Sequence, residues 1–363
     1  MSINKILTEL ENKPYLDDLK REYEMMFCPI DAVEQLVEFI DLYWKKGHAL
    51  VISRELLDWM HLDKVNNRYN YVIARHREKN EIHAILGFVP TSHFDPYIQH
   101  PRMWPSMWKK RDDIKVKGLG IGLYHFLVKN IDIESMFMSG LSQVALDFYK
   151  SWDFTTGEFS HFVLLNEEVR EYKLIDGHTS FRPSPATVSD GYSSIQLCPQ
   201  SDFETLDPTF FTLIPKHKSK AYYINRFYRH PIYTYNAYVA KSQGRTNAVL
   251  FVRECNYEGA NALRIVDFIG DLQALIGNSG NLQKLLSERS AEYIDFLHVG
   301  LDKHLLEKAG FIDKSKTNFI VPNYFEPFYL KNIGLDYSFK SIYKNEQEAF
   351  FKADGDQDRP NLL

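Results

Sequence analysis

A glycine-dense stretch at residues 117–127 has the residue types needed to hold a phosphate group. Glycine recurs at alternate positions, and the apolar residues that follow have helical spacing. Glycine lets backbone N–H groups turn toward one point, and the start of a helix adds unpaired N–H groups and the positive end of its dipole. The alternative is a purely structural turn into a helix. The residues predicted to contact a pyrophosphate are Lys117, Gly118, Leu119, Gly120, Ile121 and Gly122.

A second candidate group lies in a helical stretch at residues 141–154. This stretch carries the aromatic pair Phe148 and Tyr149. A tyrosine phenol, with a reference pKa of about 10, is protonated at neutral pH and can give a proton to a leaving group within hydrogen-bond reach. Aromatic pairs also pack helices onto sheets, which is the structural alternative for Tyr149.

Taken together, the two stretches resemble the GNAT N-acetyltransferase superfamily. The family's glycine loop has the pattern Q/R-x-x-G-x-G/A, and its next helix has the pattern N-x-x-A-x-x-L/F-Y-x-x-x-G-F. The matching residues are Lys117, Gly120 and Gly122 in the loop, and Ala145, Phe148, Tyr149 and Phe154 in the helix.

The resemblance implies a role for each stretch. The loop amides, together with Ser142, would bind the pyrophosphate of acetyl-CoA, and Tyr149 would be the catalytic residue that protonates the departing thiolate. Three residues differ from the family pattern: Lys117 replaces Arg or Gln, Ser142 replaces Asn, and Asp153 replaces Gly. Lysine keeps a cation near the phosphate but lacks the planar fork of arginine. Ser142 can still cap a helix, whereas Asp153 restricts the backbone of the following turn.

The composition is that of a globular protein with more than one domain. The chain has 363 residues, more than the ~250 to 300 at which a single core stops growing. Its net charge of −5 argues against nucleic-acid or anionic-membrane partners, which need a basic excess. Three widely spaced cysteines suggest no disulfide and no metal site, and they fit a reducing cytoplasm. Residues 1–13 do not predict a secretion signal, no apolar run approaches the ~18 residues of a membrane span, and the oligomeric state stays open.

The first half predicts a mixed α/β domain over residues 1–175. Helical and alternating patterns follow one another along it. The predicted elements are helices at 14–27, 30–46 and 54–62, a hairpin at 69–75 and 82–89, a loop at 90–105, a strand at 107–109, the glycine loop and its helix, a strand at 134–139, the Tyr149 helix and a strand at 158–165.

The second half repeats this order. Residues 176–191 are rich in Gly, Ser, Thr and Pro and predict a linker, after which residues 192–363 predict a second domain. Its predicted elements are strands at 233–240, 248–253 and 262–268, two short helices, a strand at 292–296, a helix at 301–309 and a strand at 318–321. The fold class is therefore α/β with mixed sheets, in two tandem GNAT-like acyl-CoA N-acyltransferase domains.

The second half keeps the framework but lacks the chemistry of the first. Residues 305–311 resemble the end of the tyrosine helix, with Leu306 where the tyrosine should be. An acidic residue and two larger side chains, Asp271, Leu272 and Gln273, stand in place of the glycine loop. We therefore expect this half to bind no acetyl-CoA and to form a wall of the substrate cleft.

Polar and aromatic residues of the second half are candidates for binding the amine substrate. The Arg- and Tyr-rich stretch at 222–231 suits a phosphorylated or nucleotide-linked sugar, although a helix with exposed arginines is an equal alternative. The stretch at 322–328 also fits a rigid Pro-bounded turn. The candidates are Asn225, Arg226, Tyr228, Arg229, Asp267, Asn323 and Glu326.

Several charged groups have a structural as well as a functional interpretation. Asp267 interrupts an apolar strand, where it would bind an amine or, more simply, pair with Arg253 or Arg264. The basic run at 216–220 predicts a solvated loop. The alternate carboxylates at 354–358 lack the glycine and closing Glu of a calcium loop, so they predict a solvated tail. The candidates for a catalytic base, none of which stands out, are His93, Asp95, His125 and His161.

These observations predict a cytoplasmic enzyme that transfers an acetyl or other short acyl group from CoA to an amine. The amine attacks the thioester directly, and Tyr149 protonates the CoA sulfur. We expect an amino sugar, free or nucleotide-linked, that is used for a surface polysaccharide. The alternative is a GNAT-like protein that has lost catalysis and only holds a ligand. Aminoacyl transfer from tRNA is disfavoured by the net acidity.

Overall fold

The computed structural model describes residues 15–177, 192–341 and 348–358. They form two compact units. The first contains the described residues up to Thr156 together with 338–341, and the second contains those from Gly157 to Tyr337 together with 348–358. From position 178 onward, the linker predicted at 176–191 lies outside the described residues.

The first unit is a sheet covered by helices. Its strands are β1 (Tyr23–Pro29), β2 (Leu62–Asp63), β3 (Arg68–His76), β4 (Ile82–Pro90), β5 (Arg102–Lys110), β6 (Ser135–Ser139) and β7 (Thr155–Glu158), the last continuing into the second unit. Its helices are α1 (Tyr15–Glu22), α2 (Val33–Phe39), α3 (Ala49–Ile52), α4 (Arg54–His61), α5 (Leu119–Asn130) and α6 (Gln143–Ser151).

The second unit has the same kind of architecture. Its strands are β8 (Ser160–Leu165), β9 (Ser193–Leu197), β10 (Asn236–Ser242), β11 (Arg245–Tyr257), β12 (Ala260–Gly270), β13 (Ala291–Val299), β14 (Ile312–Asp313), β15 (Tyr324–Phe325), β16 (Phe328–Tyr329), β17 (Asp336–Ser341) and β18 (Phe350–Phe351), of which β17 continues into the first unit. Its helices are α7 (Gln200–Glu204), α8 (Lys220–Tyr223), α9 (Gln273–Gly277), α10 (Ser279–Glu288) and α11 (Lys303–Lys308).

The two large sheets follow one scheme. The first has the strand order β1-β3-β4-β5-β6-β17-β7, with β2 beside β3, and the second has the order β14-β8-β13-β12-β11-β10-β9, with β18 on β13. In each sheet an antiparallel meander ends in one parallel pair, β5 with β6 and β12 with β13. The repeat of element order predicted from the sequence is therefore visible in the sheets.

Buried strands explain how the first sheet is formed. Nearly every residue of β3 and β4 is buried, which is typical of central strands covered on both faces. Apolar side chains of α5 and α6 pack against one face together with those of α1. The predicted hairpin corresponds to β3 and β4. Across the described ranges, no helix combines the length and the apolar character of a membrane-spanning segment.

Some element predictions are wrong. The helix predicted at 14–27 ends at Glu22, because the next seven residues pair with β3 as strand β1. The loop predicted at 90–105 ends earlier, because β5 begins at Arg102. The strand predicted at 158–165 corresponds to β8 at Ser160–Leu165, whereas Glu158 ends β7, and β8 pairs with β13 of the second unit. That pairing explains why the units divide after Thr156 and not at 175. Residues 318–321 form a single bridge, and the strand lies earlier, at β14.

Candidate active site

Strands β5 and β6 begin as parallel neighbours and then separate. Their pairing consists of Arg102 with Ser135 and Met103 with Met136, although both strands continue further. Further along β5, the register between β4 and β5 shifts and leaves Met107 as an extra residue, with a φ of 37°. Such a bulge bends the strand. The chain leaves β5 for α5 and β6 for α6, so the gap between the strands is flanked by the starts of two helices.

The segment before α5 is rich in cations. It contains five basic residues and two acidic ones, Lys109, Lys110, Arg111, Lys115, Lys117, Asp112 and Asp113. Lys109 lies 2.9 Å from Asp112, and Arg111 lies 2.7 Å from Asp113. Lys115 and Lys117 are exposed. Because the N–H groups in the first turn of a helix have no acceptor within it, this end of α5 presents both charge and donors to an anion.

The three glycines of the motif differ in their roles. Gly118 lies before α5 with a φ of 77°, a conformation that favours glycine. Gly120 and Gly122 lie inside α5, where they permit close packing. A Cβ at Gly122 would lie 2.4 Å from Met25 Cε, and one at Gly120 would lie 3.0 Å from Trp108 Nε1. Gly122 donates its N–H to the carbonyl of Gly118 at 2.8 Å, so the idea that all three glycines turn their N–H groups toward one point is wrong. Contact of residues 117–122 with a pyrophosphate stays a prediction.

Tyr149 lies in α6, beside the gap. Its ring centroid is 6.5 Å from that of Trp108, which follows the bulge in β5, and 6.3 Å from that of Tyr124 in α5. The side chain is 2% exposed, and burial raises the pKa of Tyr149 above its usual value, which keeps the phenol protonated at neutral pH. The ring is thus part of the core, and proton donation by Tyr149 stays a prediction.

Ser142 begins α6 as its cap. Its side chain accepts a hydrogen bond from the backbone N–H of Ala145 at 3.4 Å, and the residue is exposed. The predicted capping role is confirmed. The contact of Ser142 with CoA stays a prediction.

The end of α6 has a counterpart at the end of α11. Phe154 donates its backbone N–H to Tyr149 across one turn, and Phe311 donates in the same way to Leu306. Leu306 therefore occupies the place of the tyrosine in the second unit, as the sequence predicts. The residue before each phenylalanine has a left-handed backbone conformation, with a φ of 56° at Asp153 and 92° at Gly310.

Replacing Asp153 with glycine is expected to stabilise the first unit. Left-handed backbone costs an L-residue roughly 1 kcal/mol, and Asp tolerates it only in part. We expect Asp153→Gly to raise the free energy of unfolding by up to about 1 kcal/mol, and the mirror substitution Gly310→Ala to lower that of the second unit. All five tryptophans precede residue 157, so fluorescence in denaturant reports on the first unit. A lower midpoint for Asp153→Gly would contradict the prediction.

Solved structures identify the architecture. A GCN5-related N-acetyltransferase from Anabaena variabilis matches with a TM-score of 0.56 and 9% identity, over 88% of this chain and 73% of that chain. The chain has the GNAT fold. A protein of unknown function from Enterococcus faecalis V583, described as a probable N-acyltransferase, has a TM-score of 0.53 (9% identity, 88% and 73% covered), and a GCN5-related N-acetyltransferase from Kribbella flavida has 0.52 (9%, 88% and 71%). No family model and no curated protein matches the sequence.

Three of the four candidate bases are held by structural contacts within the GNAT-like units. His93 Nε2 donates to the carbonyl of Trp59 at 2.8 Å, so its Nδ1 is the acceptor and lies 3.4 Å from the amide of Asn70. Burial lowers the pKa of His93 and keeps the ring neutral. Asp95 accepts from the backbone of Tyr97, while His125 is half-buried on α5. His161 belongs to the second unit, where it lies 3.1 Å from Asp295. None of them stands out as a base.

Three of the predicted substrate residues are already paired within the second unit. Lys218, not an arginine, is the partner of Asp267, with 2.6 Å between Nζ and Oδ2, so the pairing predicted with Arg253 or Arg264 is wrong. Burial raises the pKa of Asp267 to about 6, although Lys218 opposes the shift. Arg226 pairs with Asp358, and Asn323 accepts from Lys352. The remaining contacts are those of Asn225 with Arg229, of Tyr228 with the carbonyl of Cys198, and of Glu326 with Arg253.

The sequence-based interpretation missed the role of two charged segments. Asp354 and Asp358 are buried, so the solvated tail predicted at 354–358 is wrong. Lys218, in the supposed solvated loop at 216–220, is buried as well and lies between Asp267 and Asp354. No local signal in the sequence marks this burial, because the partners of Asp354 and Asp358 lie far away along the chain.

Proposed function

We propose that the first unit binds an acyl-CoA and transfers its short acyl group, acetyl in the first instance, to an amine. The observation that carries this proposal is the separation of β5 from β6 after Met103, followed along β5 by the Met107 bulge, in a chain that has the GNAT fold. A gap between parallel strands exposes backbone groups that can pair with the amides of a pantetheine arm. Because the cation-rich segment and the start of α5 lie at the end of β5, a diphosphate attached to that arm meets complementary charge.

The proposed reaction needs no covalent enzyme intermediate. A neutral amine attacks the thioester carbon, the carbon–sulfur bond breaks, and the products are an N-acyl amine and CoA. The leaving thiolate takes a proton, for which Tyr149 is the proposed donor, because its phenol stays protonated and its ring lies against Trp108 beside the gap. The amine proton leaves to a base that we do not assign.

The acceptor is proposed at the level of an amine. The expectation of an amino sugar rested on polar residues of the second half, and Arg226, Asp267 and Asn323 use those groups inside the chain. They therefore give no support to a sugar. A cytoplasmic location and a part in polysaccharide synthesis also stay predictions.

A second candidate function is a GNAT-like protein that binds an acyl-CoA without transferring its acyl group. The 2% exposure of Tyr149 favours this candidate, because a general acid must reach the sulfur that it protonates. Binding is common to both candidates, so it is tested first.

Reversing two exposed charges in the cation-rich segment is expected to weaken acetyl-CoA binding. A substitution at Gly120 would disturb the packing against Trp108. By contrast, Lys115 and Lys117 are exposed, with Lys115 Nζ donating to the carbonyl oxygen of Asp112 at 3.0 Å. We expect Lys115→Glu with Lys117→Glu to weaken binding by roughly tenfold or more at low salt, because phosphate contacts depend on charge. Calorimetric titration measures it.

The control is Lys129→Glu, which makes one of these charge reversals near the far end of α5 and is compared per reversed charge. It should leave the affinity within about twofold, since it lies beyond a Debye length of about 10 Å from the loop. No binding of acetyl-CoA by the wild type would overturn the proposed function. Equal weakening in the control would show that the effect reflects net charge and not the segment before α5.

A further inference from the structure

The parallel strands of the second unit separate as those of the first unit do. Pairing between β12 and β13 ends at Ile265 with Phe296, although both strands continue. The register between β11 and β12 shifts at the same point and leaves Val266 as an extra residue. The second unit therefore repeats both features of the candidate site, a bulged strand and a parallel pair that opens.

A segment from the end of the chain fills this second gap. His298 of β13 pairs with Ser160 of β8 on one side, and it pairs with Phe351 of β18 as well. Because β8 occupies one edge of β13, β18 must lie on the other edge, which faces β12. In the first sheet, β6 has β5 and β17 as its neighbours among the described strands. The described part of the first unit thus has no counterpart of β18 between β5 and β6.

Apolar contacts and close backbone packing hold the inserted segment. The ring of Phe351 stacks on that of Phe296, with 5.7 Å between centroids, and the side chain of Phe351 is buried. The chain enters past Gly300, where a Cβ would lie 2.2 Å from the carbonyl oxygen of Glu348. Such an approach requires glycine at this position.

Buried charges fix the position of residues 348–358. Asp354 lies 2.7 Å from Lys218, and Asp358 lies 2.9 Å from Arg226. Asp358 also accepts a hydrogen bond from the hydroxyl of Tyr235 at 2.7 Å. Because an unpaired buried charge is costly, Arg226 requires Asp358 to remain in place. For the same reason, Asp354 requires Lys218 as its counter-charge.

We propose that residues 348–358 are the built-in occupant of the strand gap in the second unit, so that the chain has a single acyl-CoA site, in the first unit. The single-site part rests on the proposed function. A pantetheine arm could not pair with the edge of β13 that faces β12, because β18 already occupies that edge. The chain's own segment takes the place of a ligand, and its alternate carboxylates provide the contacts that a ligand's charged groups would otherwise provide.

Two measurements on the full chain test the proposal. Calorimetric titration should give one acetyl-CoA per chain, and the Lys115→Glu/Lys117→Glu variant should weaken that one site. Hydrogen exchange should show residues 349–352 protected in the wild type by roughly a hundredfold or more relative to unstructured chain. Asp358→Asn should speed exchange in this segment, while the surface control Glu288→Gln should not.

The outcomes separate the two proposals. Two acetyl-CoA molecules per chain, or a site that keeps its affinity in the double lysine variant, would overturn the single-site inference. If the wild type binds no acetyl-CoA, the proposed function fails. The exchange rate of residues 349–352 then tests by itself whether this segment occupies the gap. Fast exchange there in the wild type refutes a built-in occupant, and slow exchange supports it, whether or not Asp358→Asn folds.

Discussion

Tyr149→Phe is expected to slow acyl transfer by roughly a hundredfold while leaving the affinity for acetyl-CoA within about twofold. The substitution removes only the hydroxyl, so the ring contacts with Trp108, Tyr124 and Phe154 remain. Without a proton donor, the thiolate must leave unprotonated or draw on water, and the barrier rises. Binding of the thioester does not use the phenol, so the loss should appear in kcat.

Tyr124→Phe is the matched control for this prediction. Tyr124 is buried in the same aromatic group, and its hydroxyl donates to Met136 Sδ at 3.3 Å. Its loss should change the rate of CoA release by less than about threefold, because a weak hydrogen bond to sulfur contributes little. The assay is thiol release with the best amine from a panel. Equal rates for wild type and Tyr149→Phe would remove Tyr149 from the mechanism. An absence of transfer by the wild type, despite tight binding, would favour the non-catalytic candidate.

Local patterns in the sequence were sufficient for the elements around the candidate site. The hairpin of β3 and β4 follows from two apolar runs and a polar turn. Ser142 caps α6, and the left-handed turn after this helix has a counterpart at Gly310. Both features are predictable because a helix cap and a left-handed turn depend on a few adjacent residues. These are interactions between neighbours in the chain, so residue type and spacing are enough to predict them.

The features missed by the sequence analysis depend on distant partners. Asp358 is paired with Arg226, which lies 132 positions earlier, and nothing near Asp358 in the sequence signals burial. From the sequence alone, Gly122 is interpreted as a flexible loop residue, because its close contact with Met25 is known only from the structure. The strand β1 is recognisable only when its partner β3 is known. A carboxylate or a glycine can thus be interpreted from sequence only as far as its partners are local.

The second large effect is expected at the buried ion pair between β12 and β13. Asp295→Asn is expected to destabilise the second unit by about 3–5 kcal/mol, the usual cost of removing one partner of a buried pair. Arg264 donates to both carboxylate oxygens of Asp295, at 2.9 and 2.6 Å, and His161 lies 3.1 Å away. Burial opposes ionisation, but the Arg264 guanidinium outweighs it and holds the pKa of Asp295 well below its usual range.

The sign of the pH dependence follows from the lowered pKa. The contribution of Asp295 to stability is fully present above pH about 4, the pKa of an unfolded aspartate, and is lost as the pH falls further. Far-UV circular dichroism in denaturant, which reports on both units, should show the lower free energy of unfolding of Asp295→Asn at pH 7. Tryptophan fluorescence reports on the first unit and should change less.

Two further variants separate charge from packing. Glu288→Gln removes an exposed pair with Lys284 and should change the free energy of unfolding by less than about 0.5 kcal/mol. Arg264→Met with Asp295→Leu replaces the pair by apolar groups and should recover part of the loss, because no buried charge is then left alone. If Asp295→Asn costs less than about 1 kcal/mol, Arg264 does not depend on Asp295 as its partner, and the prediction for this buried pair is wrong.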